Sequence, residues 1–292
     1  MENVANTTPE MSGAVINLAS NGDASLFTEM REAFEQLDHE PLRGILLDSL
    51  ISERHSVQAI ARGFAGFLAG IQALDIRRQF FASWQRTNNS ALSVEGLANR
   101  MTQEGEAKCE SLDAVNALRL FRAAGRMNRI ADEDLGVGGG TLHFELYYRM
   151  ATACAGRDDQ WQSRRYCLPA AEAFKSWLDA MRLRAPILVG LYSLLVHEGY
   201  THAELETIAA PFHEWATSGL GLSLHEARQA LAWITVHTGG TEKNHFAHSC
   251  ASLMHYLEGS GTLIDLGVAG ETFRTYLQLK GAVMAQLNET YH

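Results

Sequence analysis

The amino-acid sequence predicts an all-α fold: one helical bundle with additional N-terminal helices. Three observations lead there. Apolar residues recur at three- and four-residue spacing from about residue 24 to the end of the chain. Only five prolines (Pro9, Pro41, Pro169, Pro186 and Pro211) occur in 292 residues, leaving long stretches free to be helical. No run alternates apolar and polar residues with the period of a strand.

The elements follow in order. Residues 1–22 are rich in Asn, Thr, Ser and Gly and read as a flexible leader. Leu26, Met30, Phe34 and Leu37 then mark a helix. A long helical segment is expected from His55 to Trp84, through Ile60, Phe64, Phe67, Leu68 and Ile71. Ser93 precedes another, with Glu95 in its first turn suiting the helix dipole. Asp113 can cap a helix carrying Val115, Leu118, Leu120 and Phe121. Gly136, Gly138, Gly139 and Gly140 break the pattern, and Leu142 to Ala155 resumes it. Pro169 and Pro186 fit the first turns of later helices. The stretch from Ile187 to Ala209 is strongly apolar on one face. Ser223-Leu-His-Glu226 has the form of a capping box. Helices over 241–257 and 268–291 close the chain. Residues 23–292 read as a single domain, with a core bundle over 111–260.

Composition narrows the function classes. A formal net charge of -10, without a dense Lys/Arg run, argues against nucleic acid or an anionic membrane as partner. The four cysteines (Cys109, Cys154, Cys167 and Cys250) have no CxxC spacing, so a zinc knuckle or thioredoxin-like pair is not suggested. With no secretory signal pattern and no membrane-length apolar run, the expectation is a cytoplasmic protein. The unusual feature is twelve histidines, most of them between positions 197 and 255.

Three clusters can carry chemistry. The first is Asp132-Glu133-Asp134 followed by the glycines and His143. On a straight helix Glu133 and His143 would lie about 15 Å apart. A glycine turn can fold the chain back so that one acid meets the histidine. The second is His197-Glu198-Gly-Tyr200-Thr-His202-Ala-Glu204, at the end of an apolar run. A carboxylate there must be paired, hydrated, protonated or metal-bound. It lacks the HExxH spacing of a zinc protease. The third is His237-Thr-Gly-Gly-Thr-Glu242-Lys-Asn-His245-Phe-Ala-His248. Glu242, His245 and His248 are three apart and share a helical face. Carboxylate plus imidazole suits iron, manganese or zinc. For each cluster a plainer reading exists: a charged helix end with a core histidine, a helix emerging into solvent, or a polar face with incidental histidines.

The order of these clusters resembles the haem-oxygenase-like di-iron oxidases and oxygenases, over roughly residues 111–260. Asn128, Glu133, Gly136 and His143 look like that family's Asn, acid, Gly, His series. Glu198 matches the Glu of the next core helix. The family's His-x3-Asp-x2-His pattern is only partly matched. Four residues separate His237 from Glu242, and Glu replaces Asp, while Glu242-x2-His245 keeps the second half. A shifted register pairs His245 with His248 instead.

The resemblance implies a haem-oxygenase-like helical bundle holding two ferrous ions per chain, with O2 as co-substrate and an external electron donor. It implies metal ligation by Glu133, His143, Glu198, Glu242 and His245, with His237 and His248 competing for a sixth place and Asp134 competing with Glu133. The implied chemistry is N-oxygenation, oxidative C–C cleavage or desaturation of an amino-acid-like, amine or fatty-acid-like metabolite. Tyr147, Tyr148, Tyr200 and Trp233 are candidates to shape the pocket. The N-terminal helices are candidates for a homodimer interface, and 136–140 and 218–222 for mobile gates. Two other readings keep the fold: a metal-independent TenA-like enzyme, and a non-enzymatic helical binding protein. A haem-degrading oxygenase would need His39 or His55 as its proximal ligand.

Overall fold

The computed structural model describes residues 13–88, 90–137 and 140–291. Among them every long element is an α-helix and no strand occurs. In chain order these are α1 (Gly13–Glu35), α2 (Glu40–Ser52), α3 (Arg54–Leu68), α4 (Leu74–Asn88), α5 (Ala91–Glu110), α6 (Ala114–Asp134) and α7 (His143–Cys154). Then follow α8 (Pro169–Leu183), α9 (Ile187–Glu214), α10 (Leu224–Ala230), α11 (Ala232–His237), α12 (Gly240–Ser260) and α13 (Leu266–Glu289).

Local sequence explains many of the boundaries. The His39 Nδ1 accepts the Leu42 amide at 3.2 Å and opens α2, with Pro41 in its first turn. The Asp113 side chain caps α6 and Asp265 caps α13. Ser223 and Glu226 form the reciprocal capping box that begins α10. Pro169 is the first residue of α8, whereas Pro186 sits one position before α9, as its N-cap.

α9 is the axis of the molecule. Among the described residues, α1, α12, α13 and α8 all pack on it. From Leu191 to Leu205 every residue is buried, not one face alone. A helix buried around its whole circumference needs neighbours on all sides.

Three expectations are corrected. Residues 13–22, read as leader, form the first turns of α1; residues 1–12 lie outside the described residues. Leu18 is buried there, and the Ala14 amide donates to Glu214 Oε2 at 2.9 Å, tying the start of α1 to the end of α9. The single helix expected over 55–84 is two, α3 and α4. The Gln72 side chain turns back to donate to the Gly66 and Phe67 carbonyls at 3.0 and 3.3 Å, taking the place of the next helical amides. Ile71 therefore lies in an exposed loop. In α6, Val115 and Leu118 are exposed, and the buried face is carried by Leu120, Ala124, Met127 and Ile130.

Candidate metal centre

Four segments converge on one buried region: the end of α6, the start of α7, the middle of α9, and the α11–α12 junction. Two local features make this possible. The first is the turn after α6. Gly136 has φ +65°, and a Cβ there would stand 2.8 Å from the Gly140 carbonyl oxygen. Only glycine fits, and the reversal returns His143 to Asp134. The second is the break between α11 and α12. Thr238 is extended, and Gly239 has φ +72° while its amide donates to Glu206 Oε1 at 2.5 Å. His237 and Glu242 thus stand on two different helices.

Two trios of ligand-type atoms result, each with its atoms within 4.8 Å of one another. One comprises Asp134, His143 and His237; the other comprises Glu198, Glu242 and His245. In the first, His143 Nδ1 and Asp134 Oδ1 are 2.9 Å apart, and the His143 and His237 rings meet at 4.4 Å between centroids. His237 Nδ1 donates to the Trp233 carbonyl at 2.6 Å. This fixes its tautomer and leaves Nε2 free toward the site. In the second trio, His245 Nδ1 lies 3.6 Å from Glu198 Oε2 and 3.7 Å from Glu242 Oε2. Glu242 connects the trios, because its Oε1 lies 3.8 Å from His237 Nε2.

The electrostatics are those of acids and imidazoles forced together. Burial pushes the Glu242 carboxyl well above its usual range, with Glu198 and Asp134 adding to the effect. Burial opposes charge on His245. The hydrogen bond to Glu198 and the carboxylates of Glu242, Glu198 and Asp134 nevertheless push it up to about 10. Burial and the neighbouring His143 push His237 down to about 4. Burial also opposes ionisation of Asp134, but the His143 hydrogen bond and nearby imidazoles hold its carboxyl below the usual range. Glu242 Oε2 is buried without a hydrogen-bond partner. Such an atom is costly to leave unpaired.

The predicted site residues divide accordingly. His143, Glu198, His237, Glu242 and His245 come together. Glu133 does not join either trio. It is half-exposed, and its Oε2 lies 3.0 Å from His245 Nε2, on the side of the ring away from Glu198 and Glu242. Asp134 occupies the inward position instead. His248 lies apart, with its Nδ1 3.4 Å from an Arg126 guanidinium nitrogen. His39 caps α2 and His55 is exposed, so neither approaches this region.

A cavity of about 420 Å³ opens onto the trios. Tyr147 and Trp233 line it, while Tyr148 and Tyr200 do not. The Tyr200 hydroxyl donates instead to Glu204. Leu135 and Leu142 reach the cavity from either side of the Gly136 turn, of which Gly138 and Gly139 lie outside the described residues; residues 218–222 do not line it. Sequence reasoning missed Asn88 and Thr201, which also line it. Asn88 Oδ1 and Thr201 Oγ1 are buried without a partner. Nothing in their local sequence distinguishes them from ordinary helix polar residues. Among the described residues no cysteine lines the cavity. No known family model and no curated protein matches this chain.

Proposed function

We propose that this protein is a non-haem di-iron oxidase or oxygenase that activates O2 on a small amino-acid-like, amine or fatty-acid-like metabolite. The observation that carries the reading is the pair of carboxylate–histidine trios joined through Glu242. The donor set fits two first-row cations: three carboxylates and three imidazoles, no thiolate, and a buried carboxylate oxygen awaiting a partner. Asp134, His143 and His237 would hold one ion; Glu198, Glu242 and His245 the other. Ferrous ions bound there supply the electrons and open coordination positions that O2 reduction requires.

The chain's own groups do the rest. Glu242 spans the two sites. Trp233 orients His237 through its carbonyl, and Glu133 orients His245 by accepting from Nε2, leaving Nδ1 for the ion. Tyr147 and Trp233 exclude water from one wall of the cavity. Asn88 Oδ1 and Thr201 Oγ1 offer hydrogen bonds to a substrate. Turnover would require an external electron donor.

A metal-independent TenA-like enzyme is disfavoured where it would need a thiol nucleophile. Burial pushes Cys154 and Cys250 up to about 12 and Cys167 up to about 11, and Cys109 is exposed. The test is to load the protein anaerobically with ferrous iron and mix it rapidly with O2. The reading predicts rapid O2 consumption and a transient visible absorption, both abolished by a strong chelator. O2 consumption no faster than that of free ferrous iron, with no absorption change, would sink it.

A further inference from the structure

A second cavity, larger than the one at the candidate metal centre, lies elsewhere in the molecule. α1 and α12 both pack on α9, and their Phe34 and Phe246 rings meet at 5.8 Å. Alongside that contact the two helices leave a groove of about 860 Å³, closed at one end by the start of α2. No residue lines both cavities. They lie on different faces of α12, with Glu242 and His245 toward one and Lys243 and Phe246 toward the other.

The groove has an apolar floor and an acidic rim. Ala33, Leu37, Leu42, Phe246 and Leu253 form the floor and are buried. Glu29, Glu32 and Asp38 stand around it against one cation, Lys243. None of the three carboxylates takes part in an ion pair among the described residues. Burial and the nearby Glu32 and Glu206 push Glu29 above its usual range, and Lys243 offsets them only in part. At the base of the groove lies His202 of α9, only 5 % exposed, with Nδ1 buried and without a hydrogen-bond partner. Burial lowers the His202 pKa, so the ring stays neutral and one of its nitrogens is an acceptor.

Acceptors and an excess of negative charge thus surround an apolar hollow, and the buried His202 Nδ1 lacks a protein partner. We propose that this groove binds an amphipathic organic cation, a primary ammonium carrying an apolar chain or ring. The ammonium donates to Glu29, Glu32 and His202, and the apolar body covers Leu37, Leu42, Phe246 and Leu253. A carboxylate of the same shape is rejected by like charge, and a neutral alcohol leaves the rim carboxylates unpaired. The site does not depend on the metal centre.

Calorimetric titration of the full-length protein with n-octylammonium, n-octanoate and 1-octanol tests this. The same titrations are run on a Glu29→Gln/Glu32→Gln variant and on His245→Ala, each checked for native helicity. Octylammonium is expected to bind at one per chain, about tenfold or more tighter than the other two ligands. The double variant is expected to weaken it about tenfold, and His245→Ala to leave it unchanged. Equal affinity for all three ligands overturns the proposal, as does no octylammonium binding. Binding weakened by His245→Ala and not by the double variant overturns it too. The comparison of ligands on the unaltered protein stands even if the double variant fails to fold.

Discussion

At the residue scale the site turns on Glu242. Its two oxygens face His237 and His245, one from each trio, and the one facing His245 has no hydrogen-bond partner. Glu242→Ala is therefore expected to abolish loading of both metals, whereas His248→Ala leaves loading intact; metal analysis of the two variants checks this. The same groups set a pH dependence. Glu242 is raised well above its usual range and His245 stands at about 10, so without metal His245 holds its proton at neutral pH and Glu242 is shifted toward its protonated form. A metal must displace them, so affinity rises with pH, by up to about tenfold per unit for each proton released. Competition titration with a metal-sensing dye at several pH values between about 6 and 8 measures the slope; a flat profile would contradict this account. Residue-scale legibility has a clear limit here. Adjacent residues of a helix point about 100° apart, so only one of Glu133 and Asp134 can face inward. The sequence presents the two as equals, and only the rotation of α6 against α12 distinguishes them.

At the element scale, the chain breaks bring the ligands together. Gly136 reverses the chain between α6 and α7, and the Thr238–Gly239 break separates α11 from α12. The latter explains the spacing from His237 to Glu242, which departs from the His-x3-Asp-x2-His pattern of the resembled family. Helical spacing does not govern two residues on different helices. Gly136→Ala forces a side chain into positive φ and against the Gly140 carbonyl. It is expected to destabilise by roughly 1–2 kcal/mol and to weaken metal binding by moving His143 from Asp134. Gly125→Ala, inside α6 with open space around it, is expected to stabilise by about 0.5–1 kcal/mol. Chemical denaturation of the two variants gives the comparison. Opposite signs support the turn's role; a Gly136→Ala protein with unchanged stability and metal affinity would refute it.

At the scale of the whole molecule, α9 links the core to the site. Beyond Glu198 it carries Glu204, fully buried, which accepts from Trp84 Nε1 at 2.8 Å and from the Tyr200 hydroxyl, and pairs with Lys280 Nζ of α13 at 3.1 Å. Lys280 is also fully buried and donates to Thr87 at 2.7 Å. Removing one charge strands the other, so Lys280→Met is expected to cost about 3–5 kcal/mol. Adding Glu204→Gln, which keeps a carbonyl oxygen for Trp84, should restore most of that. A double variant as unstable as the single would show that the charge itself is not what matters. No sequence signal marked Lys280, which reads as an ordinary surface lysine of the last helix. Much of the fold was legible because apolar periodicity reports burial directly: α9, α12 and α13 fall close to where it placed them. The start of α1 was not, because Gly13, Asn17, Ser20, Asn21 and Gly22 interrupt its apolar residues with poor helix formers, and the segment is held by Leu18 and by the distant Glu214, contacts that local propensity cannot register. No helix among the described residues is long and apolar enough to cross a membrane.

The central claim is that two metal sites share Glu242. Its most direct measurement is the iron content per chain after anaerobic ferrous loading and desalting, in the unaltered protein and in His143→Ala and His245→Ala. The account predicts about two irons per chain in the unaltered protein and about one in each variant, which disrupts one trio and leaves the other. One iron or none in the unaltered protein, or iron content that neither variant changes, would contradict it.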